Sequence, residues 1–309
     1  MQKPIKFKPI FKEKPWGGNK LKTILNKDIP SNKTGESWEV SVIPDNLSVV
    51  QSGYFEGQNL QELVQKYQTA FVGKKNYQKY GNNFPLLIKY IDAADDLSIQ
   101  VHPDEEMAQK LHRSFGKNEL WHILQADENA CLYIGFKKGV TKDDYIKHLN
   151  QGNLLPIINR IPVKAGDTFY IPAGTLHAIG KGILLAEIQQ TSDITYRIFD
   201  WNRKGLNGKP RKLHTELALK AIDFEIPINK IIDRHIKTPY FKIDILNLEH
   251  ELSESLSHID SFIILMITEG LFEVNGYKFH KGETIFLPAI VSDLKIKTIE
   301  KGNILKIYL

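Results

Sequence analysis

Four residues stand out for the chemistry their types and spacing allow. LSIQVHPDEE (97–106) begins as an alternating strand and stops at Pro103, so Gln100 and His102 point to one face and Val101 to the other. In GKNELWHIL (116–124), Glu119 shares a strand face with Trp121 and Ile123. A carboxylate on an apolar face is costly unless it is paired or bound to a cation. His177 lies at the mouth of IPAGTLHAIG, where Gly174 lets the backbone turn close to a site. Two imidazoles, one carboxylate and one amide carbonyl from three strands make a four-ligand divalent-metal set, suited to zinc, iron or nickel. A closed structural zinc would more often use cysteines, and the chain has only Cys131, so an open catalytic or substrate-binding metal is expected. Taken alone, His102 reads as a core hydrogen-bonding group or a cap for the segment 104–113; Glu119 changes that reading. His122 lies three residues beyond Glu119 and faces away, as an ordinary partly buried histidine does. The histidines at 112, 148, 214, 235, 250, 258 and 280 show no ligand spacing.

Cations form a second group. Lys89 sits in the apolar strand FPLLIKYI, where it must either snorkel out or point at an anion. Lys117 precedes Glu119 by two residues in a glycine-started turn, and Arg197 shares a strand face with Thr195 that Asp193 extends. Each alone reads as a solvated charge. Together, beside a metal, they suit a phosphorylated, hydroxyl-bearing substrate, with arginine as a planar fork for oxyanions.

The elements that position these residues are mostly strands. Helical spacing is clear at 59–71, where Asn59 and Glu62 are placed like a capping box, and shorter helices are expected at 104–113, 142–149 and 215–222. Strands are read at 37–43, 84–91, 97–102, 119–124, 130–136, 167–172, 183–190 and 194–200, and again at 241–248, 262–270, 271–276, 283–288 and 303–309. Without strand–helix alternation, this pattern predicts sandwiches or barrels. An internal repeat supports it: KAGDTFYIPAGTLH (164–177) aligns with HKGETIFLPAIVSD (280–293), matching Gly166 to Gly282, Thr168 to Thr284 and Pro172 to Pro288. The copies differ at the end, His177 against Asp293, so one domain is expected to hold the site and the other to be mostly scaffold.

At 309 residues the chain exceeds the usual reach of one core, and two domains are expected. Its hydrophobic share of 42% excludes disorder, and its +5 charge, scattered along the chain, is poor evidence for nucleic acid. The basic N-terminal stretch lacks the apolar core of a signal peptide, and the run FIILMI (262–267) is too short to span a bilayer. A lone cysteine, read as a small buried residue, fits a reducing compartment, and a cytoplasmic location is expected.

Six segments, GESWEVS (35–41), FPLLIKYIDA (84–93), LSIQVHPDEE, GKNELWHIL, YIPAGTLHAIG (170–180) and AEIQQTSDITYRIFDWNR (186–203), closely resemble in order the motifs of the type I mannose-6-phosphate isomerases, in their short bacterial form. The resemblance is specific over most of residues 1–210 and weaker beyond. It implies a mainly β protein of two cupin-like jelly rolls with a few short helices: a catalytic domain over 1–225 and a degenerate one, without metal ligands, over 226–309. It also implies one Zn2+ per chain on Gln100, His102, Glu119 and His177, with Arg197 and Lys117 catalytic and Lys89, Ser98 and Glu187 lining the substrate pocket. The implied reaction converts mannose 6-phosphate to fructose 6-phosphate through an enediol. The expected partner is a small sugar phosphate, not nucleic acid or a membrane, and the expected state is a monomer or weak homo-oligomer. Two rivals remain at this stage: an iron-dependent cupin oxygenase, opposed by Gln100 and the cations, and a non-catalytic sugar-phosphate sensor on the same fold.

Overall fold

The structure is a computed structural model describing residues 3–309. Its strands pair antiparallel and build two sandwiches in sequence order. In the first, a seven-stranded sheet runs Ile10–Gly18, Thr34–Val40, Leu86–Ala93, Ile183–Gln190, Glu119–Ala126, Thr168–Ile171, Asn229–Ile231. Facing it is a five-stranded sheet in the order Tyr196–Phe199, Ile99–Val101, His177–Ile179, Cys131–Phe136, Ile158–Pro162. In the second sandwich, a five-stranded sheet containing Ile263–Ile267, Thr284–Leu287 and Gly302–Tyr308 faces a four-stranded sheet containing Leu271–Val274 and Asp293–Glu300. This is the expected mainly β, cupin-like architecture.

Alternation along the strands produces a layered molecule. On the five-stranded sheet of the first sandwich, Ile99, Val101, Ala178 and Ile198 pack outward with Tyr145 and Ala218 of the helices Lys142–Asn150 and Thr215–Ala221. The residues between them, Gln100, His177 and Arg197, are left for the inner face. The Leu86–Ala93 strand is buried on both sides, hence its nearly continuous apolar run. Its Leu86, Ile88 and Tyr90 join Phe262, Ile264, Phe286 and Ile307 in a core shared by both sandwiches, while Ile91 and Ala93 join Trp121 and Ile123 inside the first.

The repeat is structural. Gly166 and Gly282 both take φ of +88°, a left-handed turn that glycine adopts without strain, and Thr168–Ile171 and Thr284–Leu287 follow as matching strands. His177 and Asp293 each begin the next strand on the opposite sheet. Cross-strand partners extend the match: Ile171 faces Glu119 as Leu287 faces Ile263, and His177 faces Gln100 as Asp293 faces Ser255. The second sandwich therefore has Ile263, Ser255 and Asp293 where the first has Glu119, Gln100 and His177.

Two expectations need correction. The helix read over 59–71 is interrupted at Gln68, whose φ of +46° ends Leu60–Tyr67 before Thr69–Val72 begins; the Asn59–Glu62 capping box is present. The first strand, Ile10–Gly18, was not among the expected strands and contains Pro15. It lies at a sheet edge, where a residue without an N–H is tolerated.

Candidate metal centre and adjoining cleft

The inner faces of the first sandwich converge at one place. Gln100 is paired with His177 on one side and Arg197 on the other, so three neighbouring strands set these side chains in a row across the sheet. From the opposite sheet Glu119 comes into the same space, and His102 follows Gln100 by two residues just before Pro103 releases the chain to the helix Glu105–His112. Asp104, not His102, caps that helix, accepting a hydrogen bond from the Met107 N–H. Ligand atoms of His102, Glu119 and His177 all lie within 4.8 Å of one another, and each of the three residues is only 1% exposed.

Both imidazoles are locked by the backbone. His102 Nδ1 donates to the Ile194 carbonyl at 2.9 Å and His177 Nδ1 to the Thr175 carbonyl at 2.8 Å. That tautomer leaves each Nε2 lone pair facing Glu119, 3.3 Å and 3.7 Å from its two oxygens. Burial, followed by the charge of Lys117, pushes the His102 pKa down to about 4, and burial lowers His177 as well, so both rings are neutral near pH 7. Burial alone would raise Glu119; Lys117 and the two histidines outweigh it and hold the carboxyl well below its ordinary range. Lys117 Nζ is 2.7 Å from Glu119 Oε1 and 3.1 Å from His102 Nε2. The Glu119 contact lacks hydrogen-bond direction, so both Glu119 oxygens are buried without accepting a hydrogen bond. Gln100 Nε2 lies 3.4 Å from His177 Nε2, and half a turn of its amide presents Oε1 there instead. Two neutral imidazoles with fixed lone pairs, an ionised carboxylate that accepts no hydrogen bond and an adjacent amide fit a divalent cation.

Beside this cluster opens a cleft of about 330 Å³, lined by Gln100, Lys117, Lys89, Glu187, Ser98 and Arg197 among others. Lys89 and Glu187 are cross-strand neighbours and bond at 2.7 Å. Glu187 also accepts from Trp121 Nε1 at 2.9 Å, which ties the cleft wall to the strand of Glu119. Burial opposes the charge of Lys89, yet Glu187 and Glu36 raise its pKa. Arg197 donates through Nε to Ser98 Oγ at 3.3 Å and through Nη1 to the Lys212 carbonyl at 3.0 Å. Every site residue expected from the sequence thus falls in the cluster or the cleft. His122, as expected, points to the other face, where its Nδ1 meets Thr168 Oγ1 at 2.8 Å.

Sequence reasoning missed part of the lining: Lys12, Lys14, Glu36, Trp38 and Arg211 also line the cleft. The signal was available for two pairs, since Lys12 and Lys14, and Glu36 and Trp38, alternate along adjacent strands. It also gave no role to Asn118, whose side chain donates to Gln190 Oε1 at 2.6 Å and accepts from the Ala173 N–H at 3.0 Å. Asn118 thereby joins the strand of Glu119 to the turn that leads to His177.

A two-histidine, one-carboxylate cluster with an amide neighbour, placed between the sheets of a cupin-like sandwich and opening on a polar cleft, defines a metal-dependent cupin enzyme. Comparison with known proteins narrows the class. The description "Phosphomannose isomerase type I, catalytic domain" matches residues 5–122. The chain is 37% identical to mannose-6-phosphate isomerase ManA of Bacillus subtilis, over 95% of this chain and 96% of that one. It is 40% identical to the mannose-6-phosphate isomerase of Streptococcus mutans, over 74% and 71% respectively. A crystal structure of the mannose 6-phosphate isomerase from Bacillus subtilis superposes with a TM-score of 0.90 at 33% identity, covering 100% of both chains. The chain belongs to the type I phosphomannose isomerases, a metal-dependent family.

Proposed function

We propose that this protein interconverts D-mannose 6-phosphate and D-fructose 6-phosphate with one Zn2+ held by Gln100, His102, Glu119 and His177. The observation that carries this reading is the pair of buried, unaccepting Glu119 oxygens facing two imidazole lone pairs at the base of a cationic cleft. When bound, the cation supplies Lewis-acid polarisation of the sugar oxygens at C1 and C2. The reaction moves a proton from C2 to C1 and another between the two oxygens, with no net oxidation.

The chain's own groups do the rest. The Ile194 and Thr175 carbonyls keep the two imidazoles in the ligating tautomer. Lys117, in contact with Glu119 and His102, brings an ammonium to the reacting end, and Arg197, one strand from Gln100, supplies a fork of donors for developing negative charge. Ser98 orients that guanidinium, while Lys89 and Glu187 present a donor and an acceptor to sugar hydroxyls. Neutral Gln100 leaves more positive charge on the cation than a second carboxylate would.

We assign the catalytic domain to residues 1–225 and a degenerate cupin without metal ligands to 226–309; Ile263, Ser255 and Asp293 at the ligand-equivalent positions support the second part. The strand Asn229–Ile231, past that boundary, pairs with Thr168–Ile171 of the first sandwich, so the linking segment completes the first sheet. A cytoplasmic location and a monomeric or weakly homo-oligomeric state, acting on a small sugar phosphate, complete the proposal; the one cysteine is buried, and among the described residues no helix is long and apolar enough to cross a membrane.

A coupled assay on mannose 6-phosphate is the test. Turnover is expected with zinc, lost on chelation and restored by zinc; no turnover by the zinc-loaded protein would sink the assignment.

A further inference from the structure

The cleft is lined by six cations, and their pairing is uneven. Lys14 meets Glu36 at 3.0 Å, Lys89 meets Glu187 at 2.7 Å, Lys117 meets Glu119 at 2.7 Å, and Arg211 Nε donates to Asp200 at 2.7 Å. Lys12 and Arg197 form no ion pair with a carboxylate among the described residues. Arg197 stands beside Gln100, at the metal end. Lys12 stands on the edge strand, four strands away from the strand of Glu119 in the sheet order.

The ammonium of Lys12 is nevertheless held in place. It hydrogen-bonds the side-chain carbonyl of Asn46 and sits 4.8 Å from the centre of the Trp38 ring, which Lys89 also approaches, at 5.5 Å. Glu36, its cross-strand partner, makes its direct contacts elsewhere: one carboxylate oxygen takes Lys14 and the other the Trp38 N–H at 2.6 Å. Asp193 also lines the cleft but is exposed and forms no ion pair with Lys12. Burial, then the charge of Lys14, lowers the pKa of Lys12 against the opposing charges of Glu36 and Asp193.

We propose that Lys12, fixed by Asn46 and Trp38, is the residue that recognises the phosphate of the substrate, at the end of the cleft opposite the metal centre. The inference rests on the sugar-phosphate reading and divides the labour within it: Arg197 serves the reacting carbons, and Lys12 selects for a phosphorylated sugar. A doubly charged phosphate is the anion that a pre-positioned, unpaired ammonium favours over a neutral hydroxymethyl group.

The test compares the zinc-loaded wild type with Lys12→Met and, as a surface control, Lys22→Met. Binding of inorganic phosphate is read by tryptophan fluorescence, and kinetics are run on mannose 6-phosphate. A charge-assisted contact corresponds to about 10- to 100-fold in affinity. Lys12→Met is expected to raise the KM for mannose 6-phosphate and the Kd for phosphate together within that range. kcat, zinc content and melting temperature should stay near wild type, and Lys22→Met should change none of them. Unchanged KM and phosphate affinity, or a loss confined to kcat, would overturn the role of Lys12. If the wild type turns over no mannose 6-phosphate, the functional assignment fails. The phosphate titration then still decides whether Lys12 is an anion site.

Discussion

Glu119 concentrates the chemistry of the molecule in one side chain. Its ionised carboxylate is 1% exposed, with three cationic or neutral nitrogens within 3.7 Å and no accepted hydrogen bond. Replacing it with Gln removes the only anion of the proposed ligand set. Metal content, measured after dialysis by elemental analysis, should fall by more than the roughly 10–100-fold that follows loss of a ligand's supporting hydrogen bond. Arg197→Ala is the contrasting case: zinc should be retained while kcat drops about 10²–10³-fold, the usual effect of losing one oxyanion donor. If zinc leaves with Arg197, the guanidinium is acting on the ligand set rather than on substrate. The quartet was legible from sequence because two-residue alternation fixes which side chains share a face, and Glu119 is conspicuous among apolar neighbours. Lys12 and Trp38 escaped because a lysine or tryptophan near a strand edge is ordinary; only the cleft gives it meaning.

The Glu119–Ala126 strand serves two environments at once. One face carries Glu119 and Trp121 into the site, and the other carries His122 into a buried contact with Thr168. Burial pushes the pKa of His122 down to about 4 from an ordinary 6.5, so the folded protein binds fewer protons here than the unfolded chain between those values. The sign follows: stability contributed by the neutral ring is complete above about pH 6.5 and is lost as pH falls towards 4, by on the order of 3 kcal/mol. Urea unfolding of wild type and His122→Asn at pH 7 and pH 4.5 should show a smaller acid loss in the variant; equal losses would place the acid sensitivity elsewhere. Asn118, on the same segment, shows how elements support the site. Asn118→Ala removes the acceptor of the Ala173 N–H and the Tyr170 hydroxyl, while Gln190 Oε1 keeps the residue-118 backbone N–H, and should destabilise the fold by about 2–3 kcal/mol, read by denaturation. Strand positions were largely legible from alternation and turn residues. The break at Gln68 was not, since a positive φ at a non-glycine residue leaves no mark on helical periodicity.

Across the whole molecule, the second sandwich repeats the frame of the first, with Ile263, Ser255 and Asp293 at the positions of Glu119, Gln100 and His177. Phe84 packs on Phe262 with ring centres 4.7 Å apart, and Phe71 stacks on Phe286 at 4.9 Å, so the two sandwiches share one apolar core. Phe286→Ala should therefore destabilise both, by about 3–5 kcal/mol, and calorimetry should still show one transition. Two separate transitions would mean independent cores. The repeat disclosed this duplication in the sequence, but nothing in it announced that the outer faces would be pressed together, because a strand buried on both sides reads the same whatever lies behind it. The row formed by Arg197, Gln100 and His177 has a kinetic consequence. His177 is 77 residues from Gln100 along the chain, and Arg197 is 99 residues from Ser98, so none of these contacts can form until long loops have closed. High contact order makes such closures slow. The cluster is therefore expected to assemble late on refolding, and a divalent cation that binds only the finished arrangement would favour its completion by mass action.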